Sequence, residues 1–354
     1  MLPLLLFGGA TAALAPREPC VELQLQNEAV TAVFDGCTGA LASLQRRGGP
    51  NLLAGATSAS DRGPFALWLD APPPWVALNA LDHGTDSLDG GHRSCSGRTG
   101  CIALPNNGSG ALTAADCRLV SHSVSRNTIP TLVMNMVPKN TSVALRITLT
   151  ATFAAAGADP RLRLSLAVRN TGTTARSLQA AFPLLRGVRL GRAHDPDDLG
   201  VLHMQTGIPN VSAWGGCAVG GKHISATADS CGGMLGYHTS SLWQQVYAAD
   251  GSHGLAVIVD DATAQPRMIG RFGEGPATAP ASSGAIYSYS YPGTTLAPNA
   301  SAAPAAALIV PHAGNWRAGA VFYRDWLRSV GAGRNPKSCK IMTHFGWPAC
   351  KRSF

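Results

Sequence analysis

Two strictly alternating stretches leave this chain the least freedom. From Leu145 to Phe153 the apolar residues Leu145, Ile147, Leu149 and Phe153 are separated by Arg or Thr, with a single Ala at 151. From Arg161 to Arg169, Leu162, Leu164, Leu166 and Val168 recur at every second position. Successive side chains of a strand point to opposite faces, so each stretch carries one apolar and one wet face. Gly157-Ala158-Asp159-Pro160 between them reads as a turn, and the two stretches predict neighbouring antiparallel strands over a core.

Further strands are expected at Val21–Leu25, Val30–Phe34, Ala40–Leu44, Phe65–Leu69, Arg118–Ser125, Thr131–Val137, Leu178–Phe182, Ser241–Ala248, Gly254–Val259 and Ala285–Tyr291. Leu255-Ala256-Val257-Ile258-Val259 is apolar throughout and belongs in the middle of a sheet. No helical period interrupts the series, so the chain reads as all-β: a large antiparallel β-sandwich rather than a parallel α/β sheet. No fixed repeat period supports a propeller or solenoid. The Gly/Ser/Asn-rich stretch Asp82–Asp116 and the Pro/Ala/Ser run Ala277–Ser283 read as long loops.

After Pro311 the pattern changes. Trp316, Ala320, Tyr323, Leu327 and Val330 fall on one helical face behind Asn315, a residue suited to cap the first turn. The expected organisation is a leader at 1–15, a β-sandwich at 16–312, an amphipathic linker helix at 313–330 and an irregular tail at 331–354. Such a helix needs a surface on which to bury its apolar stripe.

The 354 residues are 45% hydrophobic and 14% charged, enough for a substantial core with Gly, Ala, Ser and Thr taking much of the surface. A formal charge of +8 is scattered along strands without any nucleic-acid-binding motif, so no nucleic-acid partner is expected. Leu4-Leu5-Leu6-Phe7 followed by small residues up to Ala13 has the outline of a secretory signal, though without a positive start. No other run approaches a membrane span. Nine cysteines, together with acceptor sequons at Asn107, Asn140, Asn210 and Asn299, fit passage through an oxidising, secretory lumen. Disulfide staples are expected across the loops that hold Cys95, Cys101 and Cys117 and those that hold Cys217 and Cys231. His92 beside Cys95 and Cys101 lacks the spacing of a zinc site, so no metal is expected there. The Asp195, Asp197 and Asp198 turn is read as solvated, with calcium binding as the alternative. No cofactor-binding sequence is present.

Four segments taken in order resemble the galactose-mutarotase-like supersandwich domain of secreted glycosidase-like proteins. Phe34-Asp35-Gly36-Cys37-Thr38-Gly39-Ala40-Leu41 is similar to the opening hairpin of that domain. Arg169-Asn170-Thr171-Gly172 with Phe182-Pro183-Leu184 resembles its following strand pair. Trp243-Gln244-Gln245 with Gly254–Asp260 is similar to a third pair, and Gly314-Asn315-Trp316 with Tyr323-Arg324-Asp325-Trp326 resembles the helix that joins the sandwich to a catalytic (β/α) barrel. The resemblance to endo-α-N-acetylgalactosaminidase-like proteins implies a carbohydrate or glycoconjugate partner, a barrel domain missing from this chain, and therefore no complete catalytic pair within it. A truncated gene and a diverged barrel-less protein fit equally.

Trp214, His238, Trp243 and Gln244 have the aromatic and planar hydrogen-bonding character of a sugar site. Asp260 matches the aspartate of the third segment and joins them as a carbohydrate contact or as an interface residue. Trp316, Tyr323 and Trp326 are expected at a domain interface. The alternatives are a free-standing epimerase using His238 and Glu274 as acid and base, a lyase on the same fold, or a glycan-binding module that reads sugars with Trp214 or Trp243.

Overall fold

The computed structural model describes residues 20–56, 62–70, 111–190, 199–202, 209–211, 242–248, 250–262, 267–274, 283–290 and 293–331. Strands come first in chain order: β1 (Glu22–Gln26), β2 (Val30–Asp35), β3 (Leu41–Arg46), β4 (Ala66–Leu69), β5 (Leu112–Thr113), β6 (Cys117–Ser125), β7 (Thr131–Pro138), β8 (Leu145–Phe153), β9 (Leu162–Asn170) and β10 (Arg176–Val188). They continue as β11 (Leu199–Leu202), β12 (Pro209–Val211), β13 (Trp243–Ala248), β14 (Gly254–Asp260), β15 (Arg267–Glu274), β16 (Ser283–Ser290), β17 (Thr294–Leu296), β18 (Ser301–Ala302) and β19 (Ala306–His312), before helix α1 (Trp316–Ser329). The fold is all-β with a C-terminal helix, as the alternation predicts.

Among the described residues all strand pairing is antiparallel, and the strands form three sheets. The largest has ten strands, running β12-β11-β13-β14-β19-β9-β8-β7-β6 with β18 added beside β9. A six-stranded sheet (β15-β16-β10-β4-β5, with β17 on β10) and the three-stranded β1-β2-β3 complete the set. One hydrophobic cluster joins all three: Phe34 and Leu44 from the small sheet, Leu67 and Phe182 from the second, and Leu149, Leu164, Val257 and Ile309 from the third. A second cluster lies on the other face of the large sheet, under α1.

The signature residues of the first two resembling segments are turn makers. Asp35 Oδ1 accepts from the Cys37 and Thr38 amides at 2.8 and 2.9 Å, and Gly39 follows in the left-handed region at φ 74°. A side chain there would also collide with Met136 Sδ. Asn170 is 1% exposed and its amide donates to Thr174 O and Leu296 O at 2.8 and 3.1 Å, closing the loop after β9. Pro183 falls where the register between β10 and β16 shifts from Ala181 to Leu184, a bulge that spares the ladder a missing donor.

Three segments differ from what their sequence suggests. Arg271-Phe272-Gly273-Glu274, glycine-bearing and loop-like in sequence, is the end of β15, paired with β16. Ala306–His312 is a strand the sequence pattern did not mark, because it lies between β14 and β9 with every residue buried, so no alternation shows. Cys117 joins no staple: it is a buried free thiol, pushed up to about 12 by burial and then by the charge of Asp116. The disulfide among the described residues links Cys20 to Cys37 and pins the segment entering β1 to the turn after β2. Leader 1–15, the loop cysteines, His92 and the Asp195 turn all lie outside the described residues.

Strand β8 shows how sharply the two faces differ. Leu149→Ala should lower stability by about 2–5 kcal/mol, as a fully buried truncation does, while exposed Arg146→Ala on the same strand should change it by less than about 0.5 kcal/mol. Urea unfolding of both variants measures this; equal losses would contradict the assignment of the inner face.

Candidate functional site

Four strands and one helix place the chemistry-bearing residues. In the pairing, Trp243 faces Ile258, Gln244 faces Val257 and Gln245 faces Ala256, while Val257 faces Ile309 and Gly254 faces His312. Adjacent residues point oppositely, so Trp243, Gln245, Asp260 and His312 share the outer face of the large sheet and Gln244 lies on the inner one. Helix α1 covers that outer face.

The helix begins at Asn315, whose side chain accepts from the Arg317 amide at 3.0 Å, and ends before Gly331, left-handed at φ 75°. Its buried line is Gly319, Tyr323 and Trp326, with Trp316, Ala320, Leu327 and Val330 packed at the margins. The stripe read from the sequence is thus centred one residue away from the true contact line. Tyr323 stacks between two tryptophans, 5.3 Å from Trp243 and 5.7 Å from Trp326 between ring centroids. Its hydroxyl accepts from the Leu242 amide at 3.3 Å, and burial pushes its own proton affinity up.

Asp260 closes this arrangement. Oδ1 accepts from Trp326 Nε1 at 2.9 Å, and Oδ2 accepts from Arg163 Nε at 3.0 Å. Arg163 sits on β9 and reaches across β19 to do so. Residues from the third and fourth resembling segments therefore meet one another: Trp243 with Tyr323, and Asp260 with Trp326. Tyr323 and Trp326 bury themselves on the chain's own sheet, and Trp316 packs at the edge of the same cluster.

Beneath Gly319 lies a polar group that the sequence reading missed. Gln245 is fully buried and His312 is 5% exposed. A Cβ on Gly319 would stand 1.7 Å from Gln245 Oε1 and 3.1 Å from His312 Nε2, so only glycine lets the helix come this close. Among the described residues, neither Gln245 Oε1, Gln245 Nε2 nor His312 Nε2 has a hydrogen-bond partner. His312 Nδ1 lies 3.1 Å from Ala313 O, and burial, above all, holds its pKa below the usual histidine value. On strands, Gln245 and His312 look like wet-face residues. The paired glycines Gly254, which the His312 ring covers, and Gly319 were the available signal of close approach.

Gln244, 2% exposed on the inner face, likewise has both side-chain polar atoms without a partner among the described residues. The structure therefore brings Trp243 and Asp260 together under α1 and sets Gln244 on the opposite side of the sheet. Trp214 and His238 lie outside the described residues, as does the side chain of Glu274, whose backbone ends β15 in the six-stranded sheet. Cys20, Asp35 and Cys37 cluster within 4.8 Å, but two sulfurs bonded to each other are not thiolate ligands. Among the described residues no helix is long and apolar enough to cross a membrane.

No protein-family model matches the sequence, and no curated protein matches it. Solved structures similar in fold include galactose mutarotase-like proteins and α-galactosidases. An α-galactosidase from Lactobacillus brevis shares 10% identity over 85% of this chain and 41% of its own, with a TM-score of 0.47. A GH36 α-galactosidase from Geobacillus stearothermophilus, in complex with stachyose, shares 12% identity over 87% of this chain and 43% of its own, with a TM-score of 0.49. A galactose mutarotase-like protein from Lactobacillus casei shares 13% identity over 82% of this chain and all of its own, with a TM-score of 0.43. The chain spans about two fifths of the length of the α-galactosidases, 41% in the first case.

Two outcomes check this geometry. Asp260→Ala leaves the indole N–H of Trp326 without its acceptor and should cost about 1–3 kcal/mol; Asp260→Asn keeps an acceptor oxygen and should cost less. Equal stabilities in chemical denaturation would remove Asp260 from the clamp. His312 supplies a pH dependence of known sign: its folded pKa lies below the unfolded value of about 6.5, so its contribution is whole above that pH and is lost as pH falls toward the folded pKa. The melting temperature should drop as pH falls below about 6.5, and His312→Gln should flatten that drop.

Proposed function

We propose that this chain is the N-terminal sandwich portion of a secreted glycoside-hydrolase-like protein, working beside carbohydrate without a complete catalytic site of its own. The observation that carries the reading is how Asp260 is used. The aspartate that the resemblance marks for a sugar or an interface has one oxygen on Trp326 and the other on Arg163. Asp35, Asp70, Asp116, Asp159 and Asp250 likewise hold turns, a cap or an arginine. Glycoside hydrolysis asks for one carboxyl as acid and a second as base or nucleophile, about 5 to 9.5 Å apart. These carboxylates are committed to structure instead.

Helix α1 is the natural brace for a further domain. Its apolar side is spent on the sheet, while Arg317, Val321, Arg324 and Arg328 line the exposed side at spacings of one helical face. Val321 is 42% exposed among these arginines. The Cys20–Cys37 disulfide favours maturation in an oxidising compartment, in line with the leader-like start. Gln244, with an unpartnered carboxamide, is the described residue best suited to meet a sugar hydroxyl from the core side.

The test is an assay of the purified chain on aryl α- and β-galactosides, and on anomer interconversion of galactose. Neither reaction should proceed above the uncatalysed rate. Turnover that Glu274→Gln abolishes would overturn the reading in favour of an enzyme on the sandwich itself.

A further inference from the structure

We propose that Asn140 and Asn299 both carry N-linked glycans, and that the pair covers the end of the large sheet where β9 stops. The inference rests on the secretory reading above.

Asn140 is exposed in the turn between β7 and β8, and Asn299 is exposed in the turn before β18, at φ 62°, a left-handed conformation that asparagine tolerates. Each is followed two residues later by a hydroxyl, Ser142 and Ser301, with Thr141 and Ala300 between rather than proline. The Ser142 hydroxyl donates to Asn140 Oδ1 at 2.8 Å and the Ser142 amide at 3.1 Å, so the carbonyl is engaged. The side-chain amide nitrogens of Asn140 and Asn299 donate to nothing among the described residues. Asn170, by contrast, spends its amide on Thr174 O and Leu296 O and is 1% exposed. Of the other two sequons, Asn210 falls within β12 and Asn107 lies outside the described residues.

The modification joins the asparagine amide nitrogen to the anomeric carbon of an oligosaccharide carried on a lipid pyrophosphate. The new C–N bond replaces the sugar–oxygen bond to the pyrophosphate, which departs with the bonding electrons while the amide proton passes to a base of the transferase. An acceptor must therefore project from the surface, as these two do.

Their placement gives the consequence. The Asn299 amide donates to Asn170 O at 2.9 Å, and the Thr171 amide donates to Ala144 O at 2.9 Å, so both turns flank the loop that ends β9. Asp260 pairs with Ala306 of β19, and Ala307 pairs with Leu164 of β9, so the clamp stands level with Ser165, about 17 Å from Asn170 along the strand at roughly 3.3 Å per residue. Glycans are bulky and solubilising. They bar that end of the sheet from docking.

The experiment expresses the full chain in a eukaryotic secretory host, once with its own N-terminal segment and once behind a strong heterologous leader. Peptide N-glycosidase treatment in heavy-oxygen water then marks each formerly glycosylated asparagine as labelled aspartate. Labelling is expected at both Asn140 and Asn299, with Ser142→Ala and Ser301→Ala each removing one glycan from the gel mobility. Chain delivered by the heterologous leader with neither site labelled overturns the inference, and labelling at one site alone overturns the paired cover. Failure of the native segment to export the chain, with both sites labelled in the other arm, sinks the secretory reading and leaves the acceptor assignment standing.

Discussion

The carboxylate of Asp260 sets the geometry on which the rest of the C-terminal half depends. It ends β14, takes one hydrogen bond from α1 through Trp326 and one from β9 through Arg163, and so fixes three elements that are far apart in sequence. Its energy is modest. Arg163 is 41% and Asp260 24% exposed at the side chain, so their ion pair is screened and worth about 0–1 kcal/mol. Burial of the Trp243, Tyr323 and Trp326 rings supplies far more, since each aromatic removes roughly 150–250 Å² from water at about 25 cal/mol per Å². Hydrophobic burial holds the helix down, and the directed hydrogen bonds decide where along the sheet it sits.

Close approach is the second half of that constraint. A helix seated on flat sheet normally keeps a layer of side chains between backbones. Here Gly319 removes its own side chain above Gln245, and Gly254 does the same beneath His312. The result is a close interface in which, among the described residues, the Gln245 carboxamide and the His312 Nε2 nitrogen have no partner. Each unsatisfied buried group costs about 1–3 kcal/mol, less than the roughly 4–6 kcal/mol that one buried ring returns by area. The clamp is strong in sum and contains a weak point at its centre.

This also explains what was legible in the sequence. Strands β8 and β9 declared themselves because one face of each is wet, which preserves alternation. Strand β19 did not, because burial on both faces erases it, and alanines at 306 and 307 lack the β-branched signature. The helix, its Asn315 cap and its aromatic face were readable from local spacing. Parity along β13 separates Gln244 from Trp243 and Gln245, but no local pattern says which face is the core. Only the docking of α1 makes the outer face interior, and that contact spans 66 residues between Asp260 and Trp326. Trp243 and Asp260, like Tyr323 and Trp326, were therefore recognisable as special while their pairing with one another was not.

The same parity argument separates stability from recognition in the Trp243-Gln244-Gln245 segment. Trp243 and Gln245 are sealed beneath the helix, where reaching a sugar would require the aromatic stack to open. Gln244 projects into the inner layer beside Val257 and Ile309, and its oxygen and nitrogen gain nothing from any described neighbour. A carboxamide retained there is a liability for packing alone, since an apolar residue of like volume would remove the unsatisfied pair.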